Sequence, residues 1–137
     1  MDGSVIDLSK YRFERALEDL KTAEDNLNAG SYRASANRSY YAVFHALRAV
    51  TALDQFDSGK HSGIIAYINL HYVKAGIFEK SFSKMIDSTM RLREKADYED
   101  FNPVTQEEAE IQIERAKEVV SIVEKYVHKQ WNDDKIF

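Results

Sequence analysis

Ser31-Tyr32-Arg33-Ala34-Ser35-Ala36-Asn37-Arg38-Ser39-Tyr40-Tyr41-Ala42-Val43-Phe44-His45-Ala46-Leu47-Arg48-Ala49-Val50-Thr51-Ala52-Leu53 contains neither glycine nor proline and opens on a residue type that caps helices. It reads as one helix running from Ser31 to about Leu53. Apolar or aromatic residues recur on nearly every side, where an outer bundle helix would show a single stripe. Such a helix either packs against a partner, as in a dimer joining two second helices, or is buried on several sides by the flanking segments.

They carry the pattern to do so. From about Ser9 to Ala29, Phe13, Ala16, Leu20, Ala23 and Leu27 form one stripe with charge on the other faces, and Gly30 follows as a C-terminal stop. Asp54 to Ser62 is a polar loop containing Gly59. A third helix is expected from about Gly63 to Lys74, ending at Gly76, and a fourth from about Glu79 to Lys95 with Phe82, Ile86, Thr89 and Arg93 along one side. Asp100-Phe101-Asn102-Pro103 breaks the pattern. Thr105-Gln106-Glu107-Glu108 is a capping box that starts the last helix, along which Ala109, Ile113, Ala116, Val120, Val123 and Val127 repeat at alternating spacings of four and three. The single proline and five glycines, none in a hairpin-type dipeptide, leave little room for strands. The expectation is an all-α fold, an antiparallel up-and-down bundle of four to five helices, forming one domain over residues 1–137 with its core at about 9–130.

A net charge of −4 argues against a generic nucleic-acid binder, but the charge is uneven. Residues 31–78 hold five basic residues (Arg33, Arg38, Arg48, Lys60, Lys74) against Asp54 and Asp57, so the rest of the chain stands at −7. A polyanion would meet the middle segment. The absence of cysteine removes thiolate catalysis and Cys-type zinc sites. No basic region followed by an apolar run opens the chain, and no stretch nears the roughly 20 apolar residues that cross a bilayer, so a cytoplasmic protein with no membrane contact is expected.

Arg38 and His45 lie seven residues, or about two turns, apart on one face of the second helix. Arg can hold a phosphate in a bidentate contact and His can move a proton near neutral pH, which together suffice for phosphodiester chemistry without a metal. Helical steps add Tyr41 and Arg48 to this ridge, while the neighbouring ridge of Tyr40, Phe44, Leu47 and Thr51 is assigned to the core. With no acid of its own before Asp54, the Arg-bearing ridge needs carboxylates from other helices, water or an anionic ligand. The competing structural reading pairs Arg38 with Asp97 or another acid on the fourth helix and makes His45 a hydrogen-bonded core histidine. His61 reads as a cap at a loop-to-helix junction, and His71 has no His or carboxylate at i±3 or i±4. No His-Glu-x-x-His, Asp-x-Asp or Gly-rich phosphate loop is present, so neither a metal nor another cofactor is expected.

Arg38-Ser39-Tyr40-Tyr41-Ala42-Val43-Phe44-His45, followed by Lys60-His61-Ser62-Gly63 and by Arg93-Glu94-Lys95-Ala96-Asp97-Tyr98, resembles the HEPN domain (higher eukaryotes and prokaryotes nucleotide-binding) in its small stand-alone prokaryotic branch. The likeness extends over nearly the whole chain. It implies a bundle of four or five helices that forms homodimers, often encoded beside a small nucleotidyltransferase. Many members look like metal-independent endoribonucleases, some of them toxins, that use an Arg, four to six residues, then a His. Arg38 and His45 would then be catalytic, with Arg48, Tyr41 and Ser39 holding the phosphate. Related toxins often carry Asn after the Arg and Tyr two beyond the His, the latter a target for inactivating nucleotidylation. Ser39 and Leu47 stand there in this chain, and that regulation is not carried over. Three readings remain: a ribonuclease acting on RNA, a nucleotide- or phosphate-binding partner of a nucleotidyltransferase, and a structural helical dimer.

Overall fold

The computed structural model describes residues 3–98 and 103–133. Over these it is all-α: α1 (Gly3–Asn28), α2 (Tyr32–Leu53), α3 (His61–Ile68) continuing through a π-helical turn (Asn69–Val73), α4 (Lys80–Tyr98) and α5 (Gln106–Asp133), with no strand among the described residues. The helical-bundle expectation therefore holds. Asp100, Phe101 and Asn102, read as the break before the last helix, lie outside the described residues.

α2 is the central element. Fifteen of its residues are buried, including the whole Tyr40, Phe44, Leu47 and Thr51 ridge. α1, α3, α4 and α5 all pack against it. The apolar faces that sequence reading offered to a second copy are thus covered within the chain. Fully buried Ala36, Ala42, Ala46 and Ala49 leave room for close neighbours. α5 buries the expected stripe from Ala109 to Val127 and adds Gln112, Val119 and Trp131.

Glycine placement explains two of the helix ends. Gly30 and Gly76 adopt φ of +78° and +82°, a region that costs a side-chain-bearing residue energy. In both, the two hydrogen bonds of a Schellman motif close the helix: Ser31 N–H to Asn26 O and Gly30 N–H to Leu27 O, then Ile77 N–H to Tyr72 O and Gly76 N–H to Val73 O. α2 ends the same way, except that Gln55 takes the left-handed position at φ +56°. The capping box at α5 is formed, with Thr105 N–H donating to Glu108 Oε1 and Glu108 N–H to Thr105 Oγ1, each at 3.1 Å. Ser31 precedes α2, but its hydroxyl makes no capping bond.

Other boundaries differ from expectation for visible reasons. α1 starts two turns before the proposed Ser9 because Ile6 and Ser9 continue its buried stripe. The Ser9 hydroxyl donates to Ala49 O at 2.7 Å and accepts from Trp131 Nε1 at 3.0 Å, joining α1, α2 and α5. α3 starts at His61, and Gly63 lies against the Ser58 side chain, where any Cβ would collide. α4 continues past Lys95 to Tyr98, burying Ala96 in a small cluster with Ala36, Val104 and Ala109. Sequence periodicity gave no sign of Gln112, whose amide is fully buried and donates to Thr89 O at 2.8 Å and Ala36 O at 3.4 Å. No helix among the described residues is long and apolar enough to cross a membrane.

Candidate functional site

The Arg38–His45 face of α2 is closed by an acid from α1. Asp19 places Oδ1 3.3 Å from Arg38 Nη1 and Oδ2 3.4 Å from His45 Nε2, so one carboxylate contacts both groups. Asp19 and His45 side chains are 13% and 11% exposed, Arg38 40%, which leaves the guanidinium as the outward-facing member. The competing structural reading placed the acid for Arg38 on the fourth helix. That partner proves to be on the first, while Asp97 pairs with Arg93 at 2.9 Å and accepts from Asn37 Nδ2 at 3.0 Å.

Burial sets the protonation states. His45 is held down at about 4, first by burial and then by the positive charges of Arg15, Arg48 and Arg38, so its imidazole is neutral at pH 7. Its Nδ1 is buried with no hydrogen-bond partner. Asp19 is pushed up by burial against the pull of Arg38 and Arg15. The sequence treated His45 as an ordinary neutral-pH titrator; the structure moves it below that range because α1 and α2 enclose it.

A second imidazole joins the face. His61, read from the sequence as a cap, is the first residue of α3, and the N-cap position falls to Lys60. Its ring stacks on Phe44 at 3.9 Å, its Nδ1 lies 2.9 Å from the Tyr40 hydroxyl, and Tyr41 meets it edge-on at 5.8 Å. Burial pushes the Tyr40 phenol up to about 12 and holds His61 below its ordinary value. Tyr41 is overlaid by the Arg38 guanidinium at 4.9 Å and accepts from Arg93 Nη2 at 3.4 Å, so both arginines converge on one phenol. Arg93, on α4, stands in the sequence on that helix's stripe and in the Arg93-to-Tyr98 segment, with nothing there to place it against Tyr41.

Arg48 continues the ridge but is paired: its Nη2 lies 3.1 Å from both carboxylate oxygens of Asp57, which Arg12 approaches at 3.6 Å. Arg38 and Arg15 both act on the one Asp19 carboxylate, while Arg12 and Arg48 share Asp57. Ser39 is fully buried and its hydroxyl has no hydrogen-bond partner, so it faces inward from the ridge.

The HEPN domain family profile matches residues 9–126. The chain belongs to the HEPN domain family. Among its relatives, a Methanocaldococcus jannaschii protein named "Putative toxin MJ0605" is 34% identical over 113 residues, covering 77% of this chain and 84% of that one. A Pyrococcus horikoshii "UPF0332 protein" is 39% identical over 69 residues, covering 50% of this chain and 49% of its own. A Thermotoga maritima protein of the same designation is 28% identical over 118 residues, covering 86% and 89%.

Within this HEPN chain the arrangement supplies a displaceable carboxylate, a guanidinium facing out and a neutral imidazole behind it. An incoming phosphate can take the place of Asp19 on Arg38. Neutral His45 can accept a proton, and Asp19 stands where it would stabilise the resulting imidazolium. Among the described residues no three His, Asp or Glu side chains converge as metal ligands. His71, set aside in sequence, packs against Tyr67 at 4.3 Å, and Tyr67 donates its hydroxyl to Asp54 at 3.0 Å.

Proposed function

We propose that this HEPN protein is a toxin-type endoribonuclease that works without a metal through Arg38 and His45. The observation that carries the reading is the single Asp19 carboxylate in contact with both groups, with the charge of Arg15 added beside them. His45 takes the 2′-hydroxyl proton, the freed oxygen attacks phosphorus, and the P–O5′ bond breaks, giving a 2′,3′-cyclic phosphate and a 5′-hydroxyl. Arg38 stabilises the added charge on the phosphorane, with Tyr41 beneath the guanidinium fixing its direction. The leaving oxygen needs a proton from a second imidazole, which His45 of a second copy supplies in a homodimer; His61 is the other imidazole on the face. The relative named as a toxin supports the class of activity. A cytoplasmic setting accords with an RNA substrate.

The burial of His45, 8% exposed and neutral, favours a second reading: a non-catalytic nucleotide- or phosphate-binding subunit partnered with a nucleotidyltransferase. Incubating the protein with labelled RNA and EDTA separates the two. Cleavage abolished in both Arg38→Ala and His45→Ala supports the ribonuclease, and cleavage surviving in His61→Ala assigns the leaving-group proton to the second copy's His45. A folded wild type that leaves the RNA intact, yet binds nucleotide through Arg38, supports the partner subunit.

A further inference from the structure

Arg12 and Arg48 form a second cationic site, gathered around Asp57. Both guanidiniums are well sunk, with side chains 12% and 25% exposed, and Arg12 Nη1 donates to the Arg48 carbonyl at 3.3 Å. Burial, and then the charge of Arg48, hold Arg12 below its ordinary value, a sign of like charges forced together. Among the described residues a single carboxylate answers them, Asp57, on the loop after α2 and 57% exposed. Two sunken guanidiniums sharing one exposed carboxylate carry a surplus positive charge. Arg48 Nε is in addition buried without a hydrogen-bond partner.

Directly beside Arg12 and Asp57 an open cavity of about 430 Å³ is walled by Val5, Leu8, Ala52 and Phe56. Its walls offer apolar surface and the Phe56 ring to a base, and Arg12 at its edge, tied through Asp57 to Arg48, offers charge to a phosphate. The joint chemistry is that of a phosphate ester bearing an aromatic base.

We propose that Arg12, Arg48 and this cavity form a nucleotide-binding subsite, and that Asp57 occupies its phosphate position until a ligand displaces it. The proposal extends the ribonuclease reading by giving the strand a second hold, but needs no cleavage. The phosphate replaces the Asp57 carboxylate on Arg48 and Arg12, and the base lies against Phe56 and Leu8. The 54–60 loop then swings free of the arginines.

Calorimetric titration with inorganic phosphate, adenosine 5′-monophosphate and a non-cleavable deoxytetranucleotide tests this in an Arg38→Ala background, where the ridge site is disabled. The monophosphate should bind more tightly than inorganic phosphate. Asp57→Asn should tighten it by at least about threefold, because a competing charge is gone. Arg12→Gln should weaken it by about tenfold or more, with Arg12→Lys intermediate as a variant that keeps charge and packing. A tetranucleotide binding better than the monophosphate identifies a nucleic-acid strand as the source, and equal affinities identify a free nucleotide; either supports the subsite. Unchanged affinity in Asp57→Asn, or wild-type affinity in a folded Arg12→Gln, overturns it. Loss of RNA cleavage elsewhere in the protein has no bearing on these titrations.

Discussion

Asp19 Oδ2 lies 3.4 Å from His45 Nε2, a contact between the first and second helices whose other carboxylate oxygen is held by Arg38. The acid lies where a protonated imidazole would find its counter-charge and also occupies the guanidinium that an RNA phosphate would need. Asp19→Asn should therefore split the kinetic constants of RNA cleavage: KM falls because Arg38 is released, and kcat falls about tenfold or more because the imidazolium loses its counter-charge. Steady-state kinetics check it, and a parallel rise in both constants would refute the dual role.

The depressed His45 couples stability to pH. Its folded value near 4 lies below the ordinary 6.5, so between these values the unfolded chain binds more protons and stability falls as pH drops. The loss is complete only below about 4 and amounts to on the order of 2 kcal/mol. Asp19, shifted upward, works in the opposite direction over part of that range. Urea unfolding of wild type and His45→Gln at pH 7 and pH 4.5 isolates the histidine: the wild type should lose more stability than the variant.

Gln112 ties α5 to α2 and α4 through two backbone carbonyls from inside the core. Gln112→Ala opens a cavity and strands those acceptors, at a cost of about 2–4 kcal/mol, whereas Gln112→Met fills the volume and should lose roughly half as much. Denaturant midpoints for the two variants provide the comparison.

Gln55 holds a left-handed conformation at the C-terminus of α2. Removing its Cβ relieves strain that outweighs the added freedom of the unfolded chain, so Gln55→Gly should raise stability by about 0.5 kcal/mol. A melting temperature unchanged or lowered would show that the Gln55 side chain makes a compensating contact.

Patterns confined to one helix were legible in the sequence. The Gly30 and Gly76 stops, the Thr105 box, the α5 stripe and the buried Tyr40 ridge all follow from spacing along a single element, and so does the shared side of Arg38 and His45. What faces that side was not legible. Asp19 looks like any acid on a solvated helix face until α1 is laid against α2, and His61 looks like a cap until α3 turns its first residue onto Phe44. Ser39 misled for the converse reason: adjacency to Arg38 in sequence places it about 100° round the helix, inside the core. The surplus of apolar faces on α2 suggested a second copy because the count of covering helices is a tertiary fact.

The burial of α2 makes it a rail on which the reactive groups are mounted at fixed stations. Arg38 and His45 are about 10 Å apart along its axis, a spacing set by helical rise and locked by the alanines beneath. A change in that interval requires remaking the core, whereas the exposed residues of α1 and of the 54–60 loop can vary without disturbing it. Divergence in what such a protein grips should then accumulate on those movable margins, with the rail inherited intact.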